Sequence, residues 1–135
     1  VEENQRHKLD WSASRILTKI NYKIHTDSIK ENILIPQEIS GASAILVYAS
    51  EADLLNMALF GTTARDWKTK NPDKEGNIRD YADIYQLICL SNLESLNSEF
   101  IQMGMSQSER LLKLNKTAIS QMRLLLNDNA VRKLE

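Results

Sequence analysis

Residues 81–126 read YADIYQLICLSNLESLNSEFIQMGMSQSERLLKLNKTAISQMRLLL, and this stretch decides the fold. From Tyr81 to Met103 the apolar residues Ile84, Leu87, Ile88, Leu93, Leu96, Phe100 and Ile101 keep helical spacing. Gly104 then suits the left-handed position that ends a helix. Ser106-Gln107-Ser108-Glu109 has the form of a capping box, in which serine and glutamate each satisfy a backbone N–H. A second helix follows with Leu111, Leu112, Leu114, Ala118, Ile119, Met122, Leu125 and Leu126 facing inward. A connection this short between two long amphipathic helices predicts an antiparallel hairpin.

Upstream, Asn71 to Asp80 reads as a loop, with Pro72 and Gly76 among charges. Before it, Thr62 is the expected cap of a short helix anchored inward by Ala64 and Trp67, with Trp67 substantially buried against the hairpin. Ser50-Glu51-Ala52-Asp53 resembles an acidic capping box that opens a helix running to Gly61. Ser40 to Val47 is ambiguous: Ala44 to Tyr48 fit a buried strand, and a short helix running towards Tyr48 is preferred because no second strand offers a ladder. In the first segment Leu9, Ala13, Ile16, Leu17, Ile20 and Ile24 share one face. Beyond Ile24 the apolar phase shifts, so the helix either breaks near His25-Thr26 or changes its buried face, and Pro36 stops it. The expected fold is all-α, with several short helices packed on a long C-terminal antiparallel helical hairpin. It forms a single domain over 1–133, and Leu134-Glu135 reads as a vector-derived tail.

Composition supports this and excludes much else. Four Gly and two Pro in 135 residues are too few for the turns of an all-β domain. Net charge is −1 and the pI about 6.2, so no overall basic field recruits nucleic acid or an anionic membrane. A single cysteine, Cys89, rules out an internal disulfide framework and suits a reducing compartment. No apolar run approaches the roughly 18 residues of a membrane span, and a cytoplasmic location is expected.

No residue pattern assembles an active site. The Asn71–Ile78 loop is similar in outline to a calcium loop, but Ala82 stands where the essential glutamate belongs. His7 and His25 lack further ligands at zinc spacing. Cys89 among Leu87, Ile88 and Leu90 reads as a buried, inert thiol. Asp80, Asp83, Glu94 and Glu99 read as a solvated face and as favourable helix starts. The expectation is a non-enzyme with no cofactor and no metal. One stripe remains: Lys8, Arg15, Lys19 and Lys23, near Trp11 and Tyr22, is a candidate phosphate-binding face.

Several longer phrases carry a resemblance. Asn21-Tyr22-Lys23-Ile24-His25-Thr26-Asp27, Tyr48-Ala49-Ser50-Glu51-Ala52-Asp53-Leu54-Leu55-Asn56 and Ala58-Leu59-Phe60-Gly61 are three of them. Asn71-Pro72-Asp73, Gly76-Asn77-Ile78-Arg79-Asp80-Tyr81-Ala82, Ser91-Asn92-Leu93-Glu94-Ser95 and Ser106-Gln107-Ser108-Glu109-Arg110-Leu111 are the others. Together they resemble the C-terminal region of bacterial KilA-N domain proteins, over about Glu2 to Leu126. The KilA-N domain, a DNA-binding module of bacteria, phages and large DNA viruses, is not in this chain. The resemblance implies a DNA-binding parent, which would reach DNA through that missing N-terminal domain. The leading expectation is a non-catalytic accessory domain that forms a homodimer or docks a partner. The alternative is an auxiliary nucleic-acid-binding domain using Lys8, Arg15, Lys19 and Lys23.

Overall fold

The computed structural model describes residues 2–127, and for 2–12, Ser14 and Thr18 the backbone alone. The expected all-α class holds: helices and turns account for the chain, with no strand among the described residues. The first helix, α1, spans Glu2–Ile29 and continues without a break into a π-helical turn at Lys30–Leu34. Ile35 N–H reaches Lys30 O at 2.9 Å, the five-residue step that defines such a turn. The helix does not break near His25-Thr26. The phase shift marks where an apolar residue, Ile29, joins the buried face of His25 and Ser28, while the earlier apolar residues Ile16, Leu17, Ile20 and Ile24 stay exposed.

Helix α2 covers Gly41–Phe60, so residues 41–48 are helical, and Ser50-Glu51-Ala52-Asp53 opens nothing. Glu51 lies mid-helix and 1% exposed, which is incompatible with the expected cap. Gly61 ends α2 at φ 73°, donating its N–H to Met57 O. Helix α3, Ala64–Lys70, is capped by Thr63, one residue later than expected, whose hydroxyl accepts Asp66 N–H at 3.1 Å. A 3-10 turn at Ile78–Tyr81 follows, locked by a reciprocal box between Asn77 and Asp80. Helix α4, Ile84–Gln102, starts on a second box, Asp83 with Gln86. Gly104 takes φ 76°, and α5 runs Gln107–Asn127 with Ser106 Oγ accepting Glu109 N–H at 3.3 Å.

Hydrogen bonds give the helix directions. Asn97 pairs with Arg110 and Asn92 with Gln121, so α5 runs back along α4. Gln107 meets Ser50 and Asn115 meets the Ala58 carbonyl, so α2 and α5 are parallel. Asn21 meets Ser91 and Ser28 meets Ser98, which makes α1 parallel to α4. The organising element is thus α4, with α1 along one side and α2 and α5 along another. Leu54, Leu55 and Ala58 of α2, Cys89, Leu90 and Leu93 of α4, and Leu114 and Ala118 of α5 form the main apolar core. A smaller cluster of Ile29, Leu34 and Ile101 fastens the end of α1.

Three further expectations change. Trp67 is half-buried, and its ring packs on Tyr81 of the 3-10 turn at a centroid distance of 5.3 Å. Leu112, Ile119 and Leu126 point to solvent, at 74%, 52% and 56% exposure. Helix α2, of 20 residues with mean hydropathy 1.2, is long and apolar enough to cross a membrane by length and composition. Here Leu54, Leu55 and Ala58 of that helix instead build the core, and Glu51 is ion-paired within it. The expected tail, Leu134-Glu135, lies outside the described residues.

Candidate interaction surface on the first helix

Helix α1 meets α4 mainly through polar residues, with Ile29 packed on Ile101 at its end. Asn21 Nδ2 donates to the Ser91 carbonyl at 3.0 Å, and Ser28 Oγ donates to the Ser98 carbonyl at 3.2 Å. Between them His25 Nε2 lies 2.7 Å from Asn97 Nδ2. Small residues on α4, Ser91 and Ser98, let the two backbones come close.

The apolar side of α1 is turned outward instead. Ile16, Leu17, Ile20 and Ile24 are 59%, 46%, 52% and 47% exposed, and Ala13 is exposed beside them. Spacing of three and four residues makes them one continuous stripe. The expected amphipathic face therefore exists, but it is not the face that meets this chain's own core. An exposed apolar stripe of this kind is a candidate binding surface.

Three of the four expected nucleic-acid contacts join it. Arg15, Lys19 and Lys23 are exposed and recur every fourth residue, forming a row beside the stripe. Lys8 lies on the same helix, and its side chain is outside the described residues. Tyr22, 53% exposed, borders the row on the seam side. Among the described residues the one ion pair is Arg110–Glu51, so the row has no acidic neighbour in salt-bridge contact.

Beneath α1 lies a buried polar network that the sequence analysis does not anticipate. The Arg110 guanidinium donates from Nη1 and Nη2 to the two Glu51 oxygens, from Nη1 to Asn97 Oδ1, and from Nε to the Met105 carbonyl. Gln107 Nε2 adds a 2.7 Å bond to Glu51 Oε2. Burial alone would raise the Glu51 pKa, but the bonds from Arg110 and Gln107 outweigh it and hold the carboxylate below its usual range. Burial pushes His25 down to about 4, against the raising effect of Glu51.

One helical turn before Ser98, Glu94 is fully buried and neither carboxylate oxygen has a hydrogen-bond partner. Burial pushes its pKa up to about 7, against the pull of the Arg79 guanidinium. Arg79 is occupied elsewhere, donating from Nε to Asn56 Oδ1 at 3.1 Å and from Nη2 to the Ala52 carbonyl at 3.3 Å. Glu94 was expected on a solvated face with Asp80, Asp83 and Glu99. The packing of α1 over α4 places it inside.

The chain matches no protein-family model, no curated protein and no solved structure.

A cleft of about 460 Å³ opens between the π turn, α2 and the start of α5, with Asn32, Ile33, Val47, Ser50 and Gln107 in its walls. Its two charged residues, Glu51 and Arg110, neutralise each other at its floor. Cys89 is buried with its thiol pushed up to about 11 by burial, which disfavours the reactive thiolate. Among the described residues no group of three or more His, Cys, Asp or Glu gathers at metal-binding distance. The outward face of α1 combines four exposed large apolar side chains with a basic row, which makes it the candidate surface.

Proposed function

We propose that this chain is a non-catalytic interaction domain that pairs two copies of a DNA-binding, KilA-N-type parent. One observation carries the reading: α1 gives its polar face to α4 and leaves the stripe from Ala13 to Ile24 in water. Burying a side chain such as Leu17 or Ile20 is worth roughly 1.5–3 kcal/mol, so closing this stripe against a second copy supplies a real driving force. Closed two-fold dimers are the commonest oligomers, and paired half-sites are a frequent mode of DNA recognition.

Sedimentation across a micromolar concentration series tests this. The wild-type chain is expected to form dimers, and the double variant Ile16→Asp, Ile20→Asp to remain a monomer with unchanged helical circular dichroism. A wild-type chain that is monomeric throughout overturns the reading.

The exposed row Arg15, Lys19 and Lys23 favours a second reading, direct contact with nucleic acid. Duplex affinity that falls steeply with salt, and is lost in Arg15→Glu, Lys19→Glu, would replace the first reading with this one.

A further inference from the structure

We propose that α1 opens as a strap on the π turn at Lys30–Leu34, and that the buried carboxyl of Glu94 is the built-in weakness of its docking. This concerns how α1 is held and is independent of what its outward face binds.

The main core does without α1. Leu54, Leu55 and Ala58 of α2, Cys89, Leu90 and Leu93 of α4, and Leu114 and Ala118 of α5 bury one another, with no α1 residue among the described members. The ion-paired network closes within the same three helices, where Arg110 and Gln107 of α5 and Asn97 of α4 converge on Glu51 of α2. The α2–α4–α5 bundle therefore keeps its apolar core and its buried ion pair when α1 leaves.

Along the seam, hydrogen bonds hold α1. Asn21 reaches Ser91 at 3.0 Å, His25 faces Asn97 at 2.7 Å, and Ser28 reaches Ser98 at 3.2 Å. Each replaces a bond to water, so its net gain is small. Among the described residues of α1 the one buried apolar side chain is Ile29, next to the π turn, in a cluster with Leu34 and Ile101. Apolar anchoring is thus concentrated at the hinge end. The hinge itself takes the five-residue step from Ile35 N–H to Lys30 O, which interrupts the regular four-residue ladder of the helix.

Glu94 lies under the middle of the seam. It follows Ser91 by three residues and precedes Ser98 by four, so it shares their face of α4. It is fully buried, and neither oxygen accepts a hydrogen bond. The charged group that acts on it is Arg79 of the 3-10 turn, whose guanidinium is bonded instead to Asn56 and the Ala52 carbonyl of α2. Tyr22 of α1 and Asp53 of α2 face Arg79 in turn, and His25 of α1 faces Glu51, Arg79 and Arg110. Lys30 and Glu31 of the π turn are exposed. Docking α1 strips water from the Glu94 carboxylate and supplies no donor in exchange, which opposes docking whenever Glu94 is ionised. Opening α1 returns that water.

Hydrogen exchange resolved along the chain tests this, with wild type, Glu94→Gln and Glu94→Leu compared at the same pH. At pH 8 the amides of residues 21–29 are expected to exchange at least about tenfold more slowly in both variants, because no charge opposes docking. Amides of residues 87–101 and 111–118 are expected to change much less. The α1 difference is expected to narrow as pH falls towards 4.5, where Glu94 takes up its proton in the open state as well. His25 is present in all three proteins, so its own titration cancels in the comparison. Exchange slowed equally in α1, α4 and α5 would assign the effect to global unfolding and overturn the strap. Unchanged α1 exchange at pH 8, or a difference that stays constant with pH, would overturn the role of Glu94. Failure of Glu94→Gln to fold overturns it as well, since removing the charge is expected to tighten the docking.

Discussion

Asn97 presents its side-chain nitrogen to His25 Nε2 at 2.7 Å, and this fixes the imidazole as neutral with its proton on Nδ1. The orientation of Asn97 follows from its other contact. Arg110 Nη1 can only donate, so the oxygen of Asn97 faces it at 3.0 Å and the nitrogen faces His25 and Glu51. Protonating His25 would set two donors against each other in a site without water access.

Stability against pH is expected to be nearly flat between about 4.5 and 6.5, because two groups cancel. His25 has a folded pKa of about 4 against 6.5 unfolded, so its contribution is complete above 6.5 and falls as pH drops towards 4. Glu94 has a folded pKa of about 7 against 4.5, so its penalty is absent below 4.5 and grows as pH rises to 7. Each proton difference is worth about 1.4 kcal/mol per pH unit, with opposite sign. Urea unfolding of His25→Gln should show stability decreasing between pH 4.5 and 7. The same measurement on Glu94→Gln should show it increasing between pH 4 and 6.5.

Glu94→Gln is also expected to stabilise the wild-type fold at pH 8, by about 1–2 kcal/mol. The substitution removes the charge that burial penalises and keeps the shape of the side chain. Equal or lower stability at pH 8 would overturn this expectation.

Arg110→Met should cost about 3–5 kcal/mol, since it leaves Glu51 charged and buried with its main partner gone. The double variant Glu51→Gln, Arg110→Met should recover part of that loss. Thermal unfolding of the two single variants and the double variant measures the coupling.

Gly76→Ala should destabilise by more than 1 kcal/mol, roughly the ceiling for what a glycine-to-alanine exchange gains elsewhere. Gly76 has φ 81°, and an added Cβ would collide with the Asp80 carboxylate that accepts the Asn77 N–H. The readout is unfolding free energy, together with loss of the Trp67–Tyr81 contact seen as a change in tryptophan emission.

The helical class was legible because Leu87, Leu93, Phe100, Leu114 and Ala118 repeat at helical spacing, and Gly61 and Gly104 mark ends that chain chemistry demands. Burial on α1 was not. Ile16, Leu17, Ile20 and Ile24 have the pattern of a core face, while the face that is buried carries Asn21, His25 and Ser28. Hydrophobic periodicity assigns faces by transfer free energy, and it fails where a helix docks by hydrogen bonds between close backbones. One signal was present. Ser91, Glu94, Asn97 and Ser98 also recur at three- and four-residue spacing on α4, a polar stripe on a helix whose other positions are largely apolar. Glu51 and Asn56 within the apolar run of α2, and Arg110 beside Leu111, are the matching marks on its neighbours. What no pattern in one chain reveals is that these marks converge on one another.

The parallel alignment of α1 and α4 has a consequence for the order of folding. Asn21 and Ser91 are 70 residues apart in the chain, as are Ser28 and Ser98, so the seam closes the longest loop in the bundle. The α4–α5 contacts near the turn span as few as 13 residues. Loop-closure entropy makes the short-range pair the earlier event and the docking of α1 the later one. The same ordering makes α1 the segment most readily released once the bundle has formed. Amide hydrogens of α1 should then exchange before those of α4. A newly made chain would hold its apolar stripe on an undocked helix until the seam residues of α4 have been synthesised.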